Sequence, residues 1–523
     1  MTSPATTSAA LKPREIQNNR AFLSAPPAVW FIAATLFVLL MWVAPQYGYF
    51  RDELYYLACG EHPTWGYVDQ PPLIGWVAWL LQHTIGTSLY ALRLLPAVAA
   101  GATVWITARL ARELGGTTRA EIYAALFAAV MPITIAMAHL FTMNVFDLVL
   151  WTALALLLVR IENTSNPQLW LAFGAIAGIT ILNKYGVVFF LIALLAGTLA
   201  SCWRRWFADR YCWAGILLAI LIALPNFLWQ QHRQFPFLQL MENIRRNGRD
   251  VALPPLGFFL QQLQIVDPIS MLAVIAGVIW LLRRPRYRAL GIAFVVFYLM
   301  LMLMKAKNYY LAPVYPMIFA AGAVALTQWT DRPHVRWIPA TAAVLASLVL
   351  LFMLPMLIPV LSVPHFQRYV RATGIKLPEF EHHKPAALPQ IYADTFGWPE
   401  MAEKTAAFYN TLTPEQKQHT AIWGDNYGDA AAIDFFGPRY GLPKALSGHQ
   451  SYFVWGPRGY HNVDVINLGS HDDETLQREC DSVRVVGHID HPLARPDEHF
   501  DIYYCQGLRM DVQQAWPKTK KWN

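Results

Sequence analysis

Eleven apolar runs separated by short polar turns constrain this chain more than any other feature. They cover residues 28–44, 89–110, 122–138, 145–159, 169–182, 187–201, 213–229, 269–282, 291–304, 311–326 and 337–361. No single buried core can absorb so much apolar length. Only 14% of the 523 residues are charged, against roughly 25% in soluble chains. The expected fold is a polytopic α-helical membrane protein with about 11 transmembrane helices. Several runs fall short of the ~20 residues that a full crossing takes. Disorder, a collagen-like fibre and a disulfide-dense scaffold are excluded by the same composition.

Residues 183–186 and 305–310 are all that separate the members of two pairs of runs. Merging either pair would give a helix of ~45–55 Å, against a hydrocarbon core of ~30 Å. Each pair is therefore expected to form a tight hairpin. With the N-terminus cytoplasmic, the inside turns collect Arg109, Arg112, Arg119, Arg160, Arg204, Arg205, Arg210, Arg283, Arg284, Arg286, Arg288, Arg332 and Arg336. The outside turns hold fewer cations, as the positive-inside rule asks. This placement accounts for the net charge of +7 without nucleic acid, for which no basic, aromatic-interleaved surface is evident. The first run is expected to stay in place, because Trp42-Val43-Ala44 is a poor small-residue cleavage site.

The chain divides into a polar cytoplasmic tail (1–27, with Lys12, Arg14 and Arg20), a membrane domain (28–361) and a C-terminal α/β domain (362–523). In the last, 420–423, 452–455, 463–468, 483–486 and 502–504 read as strands. Residues 400–409, 429–435 and 472–480 read as helices between them. An odd number of spans puts this small domain on the outer side of the membrane. Cys480 and Cys505, its two cysteines, would pair if it faces an oxidising compartment.

The loop 45–88 holds the most telling chemistry. It reads Tyr47-Gly48-Tyr49-Phe50-Arg51-Asp52-Glu53-Leu54-Tyr55-Tyr56, then Trp65-Gly66-Tyr67-Val68-Asp69-Gln70-Pro71-Pro72-Leu73. An acidic pair thus lies just beyond a span, among aromatics. Residues 73–81 are too short to cross and are expected to lie in the interface as a helix that covers Asp52. A carboxylate placed there can serve as a general base toward a hydroxyl. The simpler alternative is an ion pair between Asp52 and Arg51.

These motifs resemble the first periplasmic loop of bacterial GT-C membrane glycosyltransferases, relatives of the protein O-mannosyltransferases and the lipid A aminoarabinose transferase. The likeness runs on through His139-Leu140-Phe141-Thr142-Met143-Asn144-Val145-Phe146-Asp147, Leu182-Asn183-Lys184-Tyr185-Gly186 and Lys307-Asn308-Tyr309-Tyr310-Leu311. It reaches the C-terminal part in Asn426-Tyr427-Gly428-Asp429-Ala430 and Trp455-Gly456-Pro457-Arg458. The resemblance implies a bacterial inner-membrane enzyme that moves a sugar from a polyprenyl-phosphate donor to a hydroxyl of an envelope glycan, lipid or protein. It implies direct displacement with inversion. It marks Asp52 as the catalytic acid/base, with Glu53 beside it, and a second acid in the next outer loop. There Asn144 stands where many relatives have an acid, and Asp147 follows three residues on. The aminoarabinose-transferase pattern has a lysine before its Pro-Pro where this chain has Gln70, so another cation must hold the phosphate. Arg51, Tyr55, Asp69, Gln70, His139, Asn144 and Arg249 are expected around the substrates.

Lys184, Lys305 and Lys307 fall in the two tight outer turns, with Tyr309 and Tyr310 adjoining. The lipid phosphate gains charge as its sugar departs, and a cation in a low-dielectric pocket offsets that charge. The alternative is that these lysines cap helices or snorkel to the interface. Asp147 lies just inside a span, where a charge costs ~2.5–3.5 kcal/mol at full depth, so it needs a partner. The loop 230–268, with His232, Arg245, Arg246, Arg249 and Asp250, suits donor phosphate or an anionic acceptor, and equally the headgroups of membrane lipids. No spacing resembles a zinc site, and a divalent ion beside the phosphate finds no support in the residues. The rival class is a flippase of lipid-linked sugars, against which stands the absence of an internal repeat.

Overall fold

The computed structural model of the chain describes residues 24–248, 253–375, 386–469 and 473–523. Every apolar run is helical over most of its length, although the last ends at Leu357 and 358–361 is irregular. Five helices are long and apolar enough to cross a membrane alone: Leu89–Glu113, Met143–Thr164, Arg210–His232, Asn308–Trp329 and Ile338–Leu357. Three bent pairs and the shorter apolar helices Pro27–Val43, Leu169–Asn183 and Arg288–Leu303 supply the remaining segments. One bent pair, Thr118–Val130 with Pro132–Ala138, turns by 59°. Pro132 explains the break: it lacks an N–H and drives Met131 into the extended conformation that the structure records (φ −60°, ψ 117°). Large apolar side chains such as Phe31, Leu221, Phe227 and Leu351 point outward from the bundle. Water would not tolerate so wide a belt on a monomer; lipid does, and the molecule is a multi-pass membrane protein.

Both expected hairpins form. Asn183, at the end of Leu169–Asn183, donates to the Met143 carbonyl at 2.9 Å, at the start of Met143–Thr164. After the helix Gly186–Leu199, Arg205 pairs with Glu162 at 2.8 Å, at the other end of that same helix. The chain has therefore reversed at residues 184–185. Arg286, just before Arg288–Leu303, also reaches Glu162, at 3.9 Å. Past the second turn, the helix Tyr315–Trp329 ends where Gln328 accepts from Trp280 at 2.9 Å and from Arg284, two residues before Arg286, at 3.4 Å. Close helix approach needs small residues. A Cβ on Gly174 would stand 2.0 Å from the carbonyl oxygen of Gly215 on the neighbouring helix.

The C-terminal unit is a four-stranded sheet of order β1-β2-β4-β3, with β1 Thr420–Gly424, β2 Asp464–Leu468, β3 Cys480–Ile489 and β4 Phe500–Leu508. β1 and β2 are parallel, and the other pairs are antiparallel. Helices Trp398–Tyr409, Tyr427–Phe436 and Asp473–Glu479 fall where the sequence predicts them. Cys480 and Cys505 are disulfide-bonded across β3 and β4. One strand expectation is overturned: 452–455 belongs to the helix Gln450–Trp455. Strand alternation would put Tyr452 and Ser451 on opposite faces. Instead both meet Tyr55, Ser451 through its N–H and Tyr452 through its ring at 6.4 Å, within one helical turn packed on the loop 45–88.

That loop is itself helical over Arg51–Glu61 and Leu73–Thr84. Its Leu54, Tyr55, Tyr67 and Ile74 share one hydrophobic core with Ile422, Ile433, Tyr452 and Ile502 of the C-terminal unit. Loop and C-terminal unit therefore close over one end of the bundle as a single body. The arginine cluster around Glu162 lies at the opposite end.

Candidate active site

The helix Arg51–Glu61 sets the geometry. Its first turn carries Asp52 and Glu53, acidic residues that favour a helix N-terminus. Glu53 is fully buried and accepts the Phe50 N–H at 2.9 Å, closing the N-terminal turn. It also accepts the Phe141 N–H at 2.8 Å. Arg93 grips both its oxygens, at 3.0 and 2.8 Å, and also donates to the Ala44 and Gly48 carbonyls, at 2.6 Å each, and to that of Gln46 at 3.5 Å. Glu53 thus ties the first span, the loop and the helix Leu89–Glu113 together. The expected catalytic place of Glu53 beside Asp52 is not what this geometry offers: its oxygens are occupied and face the core.

Asp52 faces the other way. With Arg51, Asn144, Lys307 and Tyr309 it lines a cavity of about 890 Å³, whose lining also includes apolar side chains such as Ile133, Met137, Leu140, Met353 and Phe366, together with Arg371 and Asp394. Asp52 Oδ1 accepts the Tyr427 hydroxyl at 2.7 Å and lies 3.6 Å from Arg51 Nε. Among the described residues no hydrogen bond uses Asp52 Oδ2. Lys184 and Tyr310 are not among the cavity's lining residues; Lys184 stands behind Asn144, donating to its Oδ1 at 2.6 Å, and over the Tyr309 and Tyr310 rings, at 5.4 and 4.7 Å from their centres. The two tight turns and the first loop therefore converge on one place.

Other expected site residues are placed differently. Lys305 is exposed, in left-handed conformation (φ 52°), and is not among the cavity's lining residues, which fits the snorkelling alternative. Asp147 is buried one turn below Asn144 and accepts from Asn183 at 2.8 Å, so Asn144 and not Asp147 borders the cavity. Tyr55 donates to Asp69 at 2.8 Å, and Gln70 is buried against Cys59. These residues brace the loop and do not line the cavity. His139 is buried with Nδ1 2.9 Å from the Ala136 carbonyl. Arg249 lies outside the described residues, as does nearly all of the 1–27 tail. Among the described residues no group of three or more His, Cys, Asp and Glu is placed to hold a metal ion.

Sequence reasoning missed Arg93 and Tyr427. A charge near the start of an apolar run was the available signal for Arg93, since an unpaired one is costly there. Tyr427 stood inside a quoted motif without a role. Its ring lies 4.6 Å from that of Tyr55 and 5.1 Å from that of His449, and the Arg51 guanidinium sits 5.2 Å from its centre. Burial raises its phenol well above the usual range, so it stays protonated and donates. Burial likewise pushes His449 down to about 3; neutral, its Nδ1 accepts the Tyr427 N–H at 3.1 Å.

Residues 69–229 match the family described as dolichyl-phosphate-mannose-protein mannosyltransferase. The match begins at Asp69, so Asp52 lies upstream of it. Over 215 residues the chain is 27% identical to the undecaprenyl phosphate-alpha-4-amino-4-deoxy-L-arabinose arabinosyl transferase 1 of Pseudomonas fluorescens (strain Pf0-1), covering 39% of this chain. It spans only 35% of that relative's length. The crystal structure of ArnT from Cupriavidus metallidurans bound to undecaprenyl phosphate superposes with a TM-score of 0.55 at 14% identity, covering 91% of this chain and 97% of that one. The apo structure of the same protein gives the same values. The chain therefore has the fold of the GT-C membrane glycosyltransferases, with a small C-terminal sheet unit. The resemblance drawn from its motifs is matched in sequence over 69–229 and in architecture over most of the chain.

Proposed function

We propose that the chain is a glycosyltransferase that moves a sugar from a polyprenyl-phosphate donor to a hydroxyl of an envelope acceptor at the outer side of the bacterial inner membrane. One observation carries this reading: Arg51, Asp52, Asn144, Lys307 and Tyr309, from three separate segments, border one large cavity that apolar side chains also line. A carboxylate, cations and a greasy surface are the three things that a hydroxyl, a phosphate and a polyprenyl chain require. Asp52 Oδ2 takes the acceptor's proton as its oxygen attacks the sugar carbon. The bond from that carbon to the phosphate oxygen breaks, and its electrons remain on the phosphate. Lys307, Tyr309 and the Lys184–Asn144 pair stabilise the charge that develops there. Inversion follows from a single displacement without a sugar–enzyme intermediate.

The likeness to an undecaprenyl-phosphate-sugar transferase supports the donor class, and nothing comparable favours a flippase. The orientation, with residues 362–523 periplasmic and the N-terminus cytoplasmic, is supported by the arginine cluster at the opposite end and by the Cys480–Cys505 disulfide. The test is transfer from purified polyprenyl-phosphate sugars in detergent, with Asp52→Asn beside wild type. Losing a general base should cost about 10²–10⁴-fold in kcat with donor affinity little changed. Near-normal turnover by the folded variant would remove Asp52 from the mechanism, and a wild-type protein inert toward every such donor would end the transferase reading.

A further inference from the structure

We propose that Tyr427, carried by the C-terminal unit, is a positioning residue that holds Asp52 in its reactive orientation, so that the membrane bundle alone lacks a competent base; this rests on the transferase reading above. The contact joins residues 375 positions apart, with the Tyr427 hydroxyl 2.7 Å from Asp52 Oδ1. Engaging Oδ1 fixes the carboxylate about its side-chain torsion and leaves Oδ2 for the acceptor's proton.

The tyrosine is itself held on several sides. Asn426 caps the helix Tyr427–Phe436, accepting the N–H groups of Gly428 and Asp429 at 2.7 and 3.3 Å. The Tyr427 N–H is bound by His449, and its ring is in contact with those of Tyr55 and His449, with Arg51 over it. A side chain needed only to stitch two surfaces would not require its hydroxyl to end on the one cavity-lining carboxylate of the first loop. Arg51 supplies a second constraint, 3.6 Å from the same oxygen.

The experiment is steady-state transfer by Tyr427→Phe, alone and in an Asp52→Asn background, with melting temperature followed for each. A misplacement of about 1 Å at a reacting group costs about 10²-fold. Tyr427→Phe should therefore lower kcat by that order, leave donor KM unchanged and melt close to wild type. In the Asp52→Asn background it should add little, because the two residues act as one unit. Wild-type kcat in Tyr427→Phe overturns the proposal while leaving the transferase reading intact. So does an equal loss in both backgrounds, a loss confined to KM, or a large drop in melting temperature, each of which makes Tyr427 a stitch. An inert wild type is a different failure, that of the transferase reading itself.

Discussion

The ammonium of Lys184 stands 4.7 Å from the centre of the Tyr310 ring, joining two turns that sequence reading treats as separate. It donates at the same time to Asn144, at 2.6 Å. The hydrogen-bond partner of Lys184 is thus a neutral amide, which it can exchange for a phosphate oxygen. Lys184→Ala should weaken donor binding roughly tenfold or more, the scale of a hydrogen bond to a charged group, with expression unchanged. Titration of a purified polyprenyl phosphate against both proteins checks this. Wild-type affinity would return Lys184 to a structural role.

Glu53 and Arg93 make a different expectation. Both are almost wholly buried, and breaking a buried pair by removing one partner costs about 3–5 kcal/mol. Arg93→Met should therefore lower melting temperature and yield of folded protein. Glu53→Gln keeps shape but loses charge, and should do so to a lesser degree. A folded Glu53→Gln protein with normal stability and abolished turnover would contradict the structural assignment.

Why sequence reading grouped Glu53 with Asp52 is a matter of helix geometry. Neighbours on a helix point about 100° apart, so one side chain meets the cavity and the other meets Arg93. Sequence reading placed a helix at 73–81 but none over Arg51–Glu61, and the adjacency was read as shared chemistry. The hairpins at 183–186 and 305–310 were legible because bilayer thickness forbids the alternative. The helix Gln450–Trp455 was misread because a short aromatic run satisfies strand propensity, and only its docking on Tyr55 and Val68 decides otherwise. Tyr427 on Asp52 is a tertiary contact, invisible without the C-terminal fold.

His449 gives the C-terminal unit an acid sensitivity. Folded, it stays neutral down to about pH 3, chiefly through burial, with Lys521 and Arg51 adding to the effect and Asp425 opposing it. Unfolded, it takes up a proton near pH 6.5. Between those values the unfolded state binds more protons, so this contribution to stability is present above pH 6.5 and lost as pH falls toward 3. The buried pair Asp429 and Glu498 works in the opposite sense: burial raises both, and their contribution is lost as pH rises. The effect of His449 is isolated by His449→Gln, whose melting temperature should fall less than wild type's between pH 7 and pH 5. Parallel curves would remove His449 as the sensor.

The orientation can be tested through cysteines as well as reporters. Cys202 is exposed and free, with Sγ 3.4 Å from the Pro285 carbonyl at the arginine-rich end. Cys480 and Cys505 are bonded to one another in the C-terminal sheet. A reducing cytoplasm keeps the first as a thiol, and an oxidising periplasm keeps the others as a disulfide. Cells with a permeabilised outer membrane should leave Cys202 unlabelled by an impermeant maleimide until the inner membrane is broken. A reporter fused after Asn523 should be active as a periplasmic protein, and one inserted near Arg286 as a cytoplasmic one. Both conditions follow from a single arrangement, in which the arginines around Glu162 and the sheet unit over Asp52 lie on opposite sides of the bilayer. Labelling of Cys202 in intact inner membranes, or both reporters active on the same side, would place the cavity's catalytic end in the cytoplasm and exclude an acceptor in the outer envelope.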